Sequence, residues 1–355
     1  MLTKLPIPIP IPIIQAPMVG ASTFDMVVAV SRAGALGSFG AGAMSPTEIE
    51  TEVRKVRAAT DAPFGVNLFV IEPATPGQTE VDAAIERLRP WYARLGLDPP
   101  APPTDFAPDF QAQFAALLRA APPLASFTFG LITSEQVAAL KAAGVYVVGT
   151  ATTVAEARAW AGVGADAISA QGAEAGGHRG TFLRSAEESL IGTFALVGTV
   201  RQAIDLPVIA AGGIMDGRGV AAALALGAAA AQMGTAFLLT DQSGASATWQ
   251  AALRQSPDDP TRLTRALTGR YARGVETEFM ATMRPTEGDV PAYPVQNRLT
   301  QPLRAAAAKA GDSQLLSLWA GQAVSQAGRG DAGELVKRWW AEARTVANDL
   351  AGRLA

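Results

Sequence analysis

The 355-residue chain contains no cysteine and one histidine. The missing cysteines exclude disulfides, thiolate catalysis, iron–sulfur clusters and cysteine zinc sites. A single histidine excludes a histidine-rich metal centre. Charge is also sparse. Only 17% of residues are Asp, Glu, Lys or Arg, and 29 basic against 32 acidic residues leave a net charge of −3. No basic stripe of the kind that tracks nucleic-acid phosphates follows from that balance.

Two segments imitate membrane or export signals. In MLTKLPIPIPIPIIQAP, prolines at 6, 8, 10 and 12 prevent a helical apolar region, because each lacks an N–H and clashes with the preceding turn. The stretch reads as an extended lead-in to a first strand. Residues 219–239, GVAAALALGAAAAQMGTAFLL, are uncharged and long enough to span a bilayer. They are mostly alanine, however, and Gly227 and Gln232 interrupt them. A buried helix followed by a buried strand accounts for them better. The expectation is a soluble cytoplasmic protein without a membrane or nucleic-acid partner.

What is abundant is glycine, with 35 residues, and an apolar fraction of 49%. One grammar recurs: an alanine-rich helix, a glycine suited to a helix C-cap, then a short apolar run. It appears in AVSRAGALGSFGAG (29–42), ALKAAGVYVVGTATT (139–153), AWAGVGADAISAQG (159–172) and ALALGAAAAQMGT (223–235). Continuous apolar strands linked by helices imply a parallel sheet covered on both faces. Eight strand candidates follow: 13–18, 36–40, 64–70, 126–130, 146–150, 167–171, 208–213 and 230–238. Eight αβ repeats match a (β/α)8 TIM barrel. A doubly wound open sheet is the rival, but no G-x-G-x-x-G follows the first strand.

Two regions break the rhythm. Residues 71–123 carry a helix candidate near 81–95 and the proline cluster DPPAPPTDFAP at 98–108. This excursion either lies over a ligand or stays on the solvent side. After Thr240 the grammar stops. Helices are expected near 248–255, 258–269 and 303–311, and an amphipathic one over 334–350. The predicted organisation is a barrel over 1–240 and a mainly helical C-terminal addition over 241–355, its last helix packing back on the barrel.

In such a barrel the chemistry sits at the C-terminal ends of the strands. Gly212 and Gly213 after strand seven, with Gly234 and Thr235 after strand eight, suit an anion-binding cradle for a cofactor phosphate. The same glycines would also serve merely to permit tight turns. QGAEAGGHRG (171–180) is too glycine-rich for a packed helix and holds the sole histidine, His178. An imidazole there can act as general base or hydrogen-bond donor at neutral pH. Glu174 would either orient it or cap the next helix.

Taken together, IIQAPM (13–18), GVNLFV (65–70), QGAEAGGHRGTF (171–182), PVIAAGGI (207–214), AAQMGTAFL (230–238) and LWAGQ (318–322) resemble the motifs of bacterial nitronate monooxygenases. The resemblance implies FMN as cofactor. Ala16, Met18 and Asn67 would line the flavin ring and Gln171 would bond its polar edge. Gly176 and Gly213 would approach the cofactor, with Gln232, Met233, Gly234 and Thr235 at its phosphate end. His178 would face the substrate, an alkyl nitronate oxidised with O2 to a carbonyl compound and nitrite. No metal is implied, and a homodimer is a candidate assembly. Related flavin barrels draw hydride from NAD(P)H to reduce a quinone or an enoyl thioester, which is the alternative activity.

Overall fold

A computed structural model describes residues 4–355. Its centre is an eight-stranded parallel sheet that closes on itself. We number the strands β1 (Ile13–Gln15), β2 (Gly37–Gly40), β3 (Phe64–Phe69), β4 (Leu124–Thr128), β5 (Tyr146–Ala151), β6 (Ala167–Gln171), β7 (Val208–Ala211) and β8 (Ala230–Met233). Each strand pairs with its sequence neighbour, and β8 pairs with β1. The last gap is bridged by Gln15 N–H to Leu36 C=O at 2.9 Å and Leu36 N–H to Ile13 C=O at 3.0 Å. The architecture is the (β/α)8 TIM barrel expected from the sequence, with a mainly helical addition after it. All eight strand candidates form strands. The predicted spans for β1, β3, β4, β7 and β8 run past the strand ends, at 16–18, 70, 129–130, 212–213 and 234–238.

Strand alternation divides the side chains into two cores. Facing outward, Ile13, Val66, Phe127, Val147, Ile168, Val208 and Met233 join the helices in the main hydrophobic core. Inward, Ile14, Leu36, Leu124, Val148, Ala167, Ile209 and Ala230 form an apolar lower layer that fills the barrel. Ile7 of the proline-punctuated N-terminal segment is 4% exposed and packs into this layer. That lead-in therefore closes the barrel floor.

Helix boundaries follow local chemistry. Ser45 caps Pro46–Ala59 with a capping box completed by Glu48, and proline occupies the first turn. Thr133, Thr153 and Asp216 each cap the helix that follows them.

The irregular regions depart further from the sequence reading. The helix expected near 81–95 spans Gln78–Arg94, and a second one, Phe110–Ala120, was not anticipated. Val81, Ile85, Leu88 and Tyr92 pack with Leu299 and Leu303 of the helix Val295–Ala310 in a core of their own. The Tyr92 hydroxyl also donates to Leu299 C=O at 2.7 Å. Gln78–Arg94 thus buttresses that helix, Phe110–Ala120 packs instead on Pro46–Ala59 in the main core, and none of residues 71–123 lines the barrel mouth. The helix expected over 258–269 is absent. Its place is taken by a β-hairpin of Thr261–Thr264 and Ala272–Val275. The final helix, Ala332–Leu354, crosses Gly217–Ala225 so closely that a Cβ at Gly217 would lie 2.3 Å from Trp339 C=O.

Gly149 shows how tightly the barrel and helix layers interlock. A Cβ there would lie 2.0 Å from the ring of Trp160, which is fully buried. We expect Gly149→Ala to cost about 1–3 kcal/mol by overpacking. Trp160→Ala should cost about 3–5 kcal/mol through the cavity it leaves. Chemical denaturation midpoints check both. Wild-type midpoints in either variant would contradict this packing.

Candidate active site

Above the apolar layer, the inward positions turn polar. Asn67, Ser126, Thr128, Thr150, Ser169, Gln171 and Gln232 surround a cavity of about 440 Å3 at the C-terminal end of the strands. Cofactor and substrate sites typically span about 300–1,000 Å3. Ala16 and Met18 form one apolar wall. On β3, the Asn67 carbonyl oxygen accepts from the hydroxyls of Ser126 at 2.9 Å and Thr128 at 3.2 Å. With the amide in this orientation, the Asn67 NH2 group has no protein acceptor among the described residues. It is a donor free to meet a ligand.

The glycine cradle lies across the cavity. Gly212 and Gly213 have φ values of +118° and +72°, which only glycine adopts without strain. Among the described residues, their N–H groups find no protein acceptor. A Cβ at Gly213 would point at Glu174 Cβ, 3.3 Å away, rather than into the cavity. Backbone conformation, more than open space, therefore requires glycine there. Gly234 and Thr235 complete this end. The Thr235 hydroxyl accepts from Gly321 N–H at 2.9 Å, which leaves its own proton to donate.

The helix N-terminus after β7 is already filled, since Asp216 accepts from Gly219 N–H at 3.0 Å and Glu342 from Gly217 N–H at 2.8 Å. Anion donors must come from the loops. Gly176 also borders the cavity, but a Cβ there would lie 2.5 Å from the backbone of Ala320 and Gly321. Its small size lets the loop after β6 dock on the LWAGQ segment.

Two sequence candidates take other roles. Met233 does not line the cavity. It points outward into the helix layer at 1% exposure, because Gln232 next to it points inward. Gln171 lines the cavity, yet its amide ties its own loop. Its Nε2 donates to His178 C=O at 3.0 Å and its Oε1 accepts from Gly180 N–H at 2.8 Å. Glu174 resolves to the capping role, accepting from Thr193 N–H at 2.9 Å.

His178 is placed by the hairpin that replaced the expected helix. Gly177–His178 pairs antiparallel with Ala272 and Arg273. Around it, Arg179 N–H donates to Tyr271 C=O at 2.8 Å. The Arg270 guanidinium returns hydrogen bonds to the carbonyls of Arg179, at 3.0 Å, and Thr181. The imidazole stands among Phe129, Tyr293 and Trp319, at ring-centre distances of 5.6, 5.7 and 5.5 Å. Phe129 holds φ +82°, a region bulky residues avoid at a cost on the order of 1–3 kcal/mol. Stacking on Phe69 at 4.3 Å and the Arg270 guanidinium 4.0 Å above its ring hold it there.

Burial, then the charges of Arg270 and Arg304, push the His178 pKa down to about 3. The ring is neutral at physiological pH. Burial raises Tyr293 to about 12, so it keeps its phenolic proton. Arg304 is lowered to about 10, chiefly by burial, and remains charged at neutral pH. It donates to Asn297 and Ser317, and no carboxylate pairs with it among the described residues. The cavity is therefore electropositive, with a neutral base candidate inside it.

Sequence reasoning missed Phe129, Thr268, Arg270, Tyr293, Arg304 and Trp319, all beside the cavity or His178. Arg304 was detectable as a charge on the apolar stripe Leu299, Leu303, Ala307. Phe129 lies just past the end of β4, where barrels place ligand contacts.

With this geometry in place, comparison with known proteins is decisive. The family profile for nitronate monooxygenase matches residues 2–342. The chain belongs to the nitronate monooxygenase family. A probable nitronate monooxygenase of Staphylococcus aureus (strain Newman) is 42% identical over 315 residues, covering 88% of this chain and 89% of that protein. The nitroalkane oxidase of Streptomyces ansochromogenes superposes with a TM-score of 0.89 at 43% identity, covering 96% of this chain and 98% of that one. FabK from Thermotoga maritima superposes at 0.76 with 28% identity, covering 97% and 96%. As a nitronate monooxygenase family member, the protein is an oxidoreductase of a flavin-dependent family acting on nitroalkanes or nitronates. No described helix is long and apolar enough to cross a membrane.

The neutral imidazole carries a stability signature. Its folded pKa lies below the ordinary 6.5, so the unfolded chain binds the proton more readily. Stability from this site is intact above about pH 6.5 and falls as pH drops toward 3. We expect His178→Gln to lose less stability than wild type over that window in paired denaturation series. Equal pH slopes in the two proteins would contradict a neutral His178.

Proposed function

We propose that the protein binds FMN in this cavity and oxidises alkyl nitronates, such as propionate 3-nitronate, with O2 to a carbonyl compound and nitrite. The observation that carries the reading is one cavity in which unpaired amide donors and a neutral imidazole face the same space. Residues 1–240 would hold the cofactor, and 241–355 would shape the substrate side through the hairpin and Arg304.

The residues suit FMN at each part of the molecule. Ala16 and Met18 offer an apolar face for the ring. The free Asn67 NH2 suits an acceptor on its polar edge. The Gly212 and Gly213 N–H groups and the Thr235 hydroxyl suit the phosphate. When bound, the flavin would supply the electron-accepting and oxygen-reactive chemistry. The protein's contribution is orientation and charge. Arg270 and Arg304 attract an anionic nitronate, and Tyr293 presents a neutral O–H. His178, held without charge, can take an α-proton from a neutral nitroalkane or orient a nitronate already formed.

The test is oxygen uptake and nitrite release by flavin-loaded protein given propionate 3-nitronate without nicotinamide. We expect turnover under these conditions. Its absence, with rapid anaerobic reduction of the flavin by NADH instead, would reassign the protein as an NAD(P)H-dependent reductase of a quinone or enoyl thioester. His178→Ala should keep its flavin and lose about 10²-fold or more in turnover with neutral nitroalkanes. Gly213→Val should release flavin by straining the +72° backbone that presents the cradle amides. Full activity in the first or full flavin content in the second would overturn those roles.

A further inference from the structure

His178 makes one side-chain hydrogen bond, and the direction of that bond decides which ring nitrogen is the base. Its Nε2 lies 2.9 Å from the hydroxyl oxygen of Thr268. The same hydroxyl lies 3.1 Å from the Arg270 carbonyl and donates to it. A threonine hydroxyl has one proton. Once that proton is committed to Arg270 C=O, the oxygen can only accept from the imidazole. Nε2 must then carry the ring proton, and Nδ1 is left as the lone pair. Among the described residues Nδ1 has no protein partner, yet it is not one of the fully buried unpartnered atoms, and His178 lines the cavity. The lone pair thus opens on the cavity.

We propose that Thr268 is a positioning residue that locks His178 in the Nε2–H tautomer and so presents Nδ1 as the base toward the substrate. The surrounding structure gives Thr268 little freedom to do otherwise. It is 1% exposed, in the turn between the two hairpin strands. Thr300 donates to Leu267 C=O at 2.6 Å and Gln296 to Ala266 C=O at 2.8 Å, both from the helix Val295–Ala310. On the other side, Gly269 packs so closely on the 291–293 segment that a Cβ would lie 2.1 Å from Pro291 C=O. Four residues beyond Thr268, Ala272 pairs with the backbone of His178 itself. One short segment therefore sets both the position of the histidine and its tautomer.

The charged and titratable groups facing the ring are Arg270 from the hairpin turn, Arg304 from the helix and Tyr293 before it. None is an anion, so no carboxylate competes for the Nε2 proton. Resting on the proposed reaction, the step is a simple proton transfer. The α-C–H bond of a neutral nitroalkane breaks and its electron pair moves into the nitro group to give the nitronate. The proton ends on Nδ1, and the imidazolium is offset by the nitronate beside it.

The chain's single histidine makes the tautomer directly readable. Untagged, flavin-loaded protein labelled with 15N-histidine gives one pair of ring nitrogen signals that need no assignment. We expect a pyrrole-type Nε2 and a pyridine-type Nδ1 in wild type and in Thr268→Ser, and a mixed or reversed pattern in Thr268→Val. The reverse pattern in wild type, or an unchanged one in folded Thr268→Val, would overturn the proposal. If Thr268→Val does not fold, the wild-type pattern and that of Thr268→Ser still decide it. A second readout is the ratio of nitroalkane to nitronate turnover. It should fall about tenfold or more in Thr268→Val and recover in Thr268→Ser. An unchanged ratio would contradict a role in proton abstraction. Turnover of neither substrate by wild type would sink the proposed reaction, while the nitrogen signals would still decide the tautomer.

Discussion

The candidate active site depends on a short antiparallel contact, Gly177–His178 against Ala272–Arg273. A parallel barrel supplies a rigid mouth, but the loop after β6 is too rich in glycine to hold a shape alone. Pairing with the hairpin gives it backbone partners. The buried Arg179 then donates to the carbonyls of Gly172, Gln171 and Ser189 at 2.6, 3.0 and 3.2 Å, and Arg270 closes the other side. The energy of these bonds is individually modest, about 0.5–1.5 kcal/mol net for a neutral backbone pair and about 1.5–3 kcal/mol for one from a guanidinium. Their effect is geometric, because they fix one imidazole at the rim of a cavity built by other elements.

That arrangement separates two tasks. Inward residues of the strands and their following glycines provide apolar walls, free amide donors and a cradle of backbone N–H groups beside the Thr235 hydroxyl. The C-terminal segment supplies two of the three aromatic neighbours, Tyr293 and Trp319, together with two guanidiniums and the threonine beside His178. Charge and neutrality are set together, since the same burial that attracts an anion to Arg304 also keeps His178 uncharged. The 78–94 helix, remote from the cavity, contributes by packing behind the helix that carries Arg304.

How much of this was legible depends on which periodicity the residues display. Barrel strands such as 167–171 and 208–211 are buried on both faces and bounded by glycine, so they read directly as parallel strands. That His178, Gly212, Gly213, Gly234 and Thr235 border the cavity was legible because all lie at or just past strand ends of the barrel. The outward side chain of Met233 follows from strand alternation beside the inward Gln232, which motif likeness does not encode. Leu263, Ala266 and Leu267 recur at helical spacing, which imitates a helix where the hairpin forms. Tertiary pairing with the β6 loop, invisible in local sequence, overrides that pattern. Thr268 and Arg270 were hidden for the same reason, since their importance arises only once the hairpin reaches His178.

The most direct measurement is a crystal structure of flavin-loaded protein with a nitronate-like anion bound. The account predicts a flavin ring against Ala16, Met18 and Asn67, its phosphate at Gly212, Gly213 and Thr235, and the anion between Arg304 and Nδ1 of His178. A flavin bound elsewhere, or a His178 ring turned away from the anion with Thr268 unbonded, would contradict it.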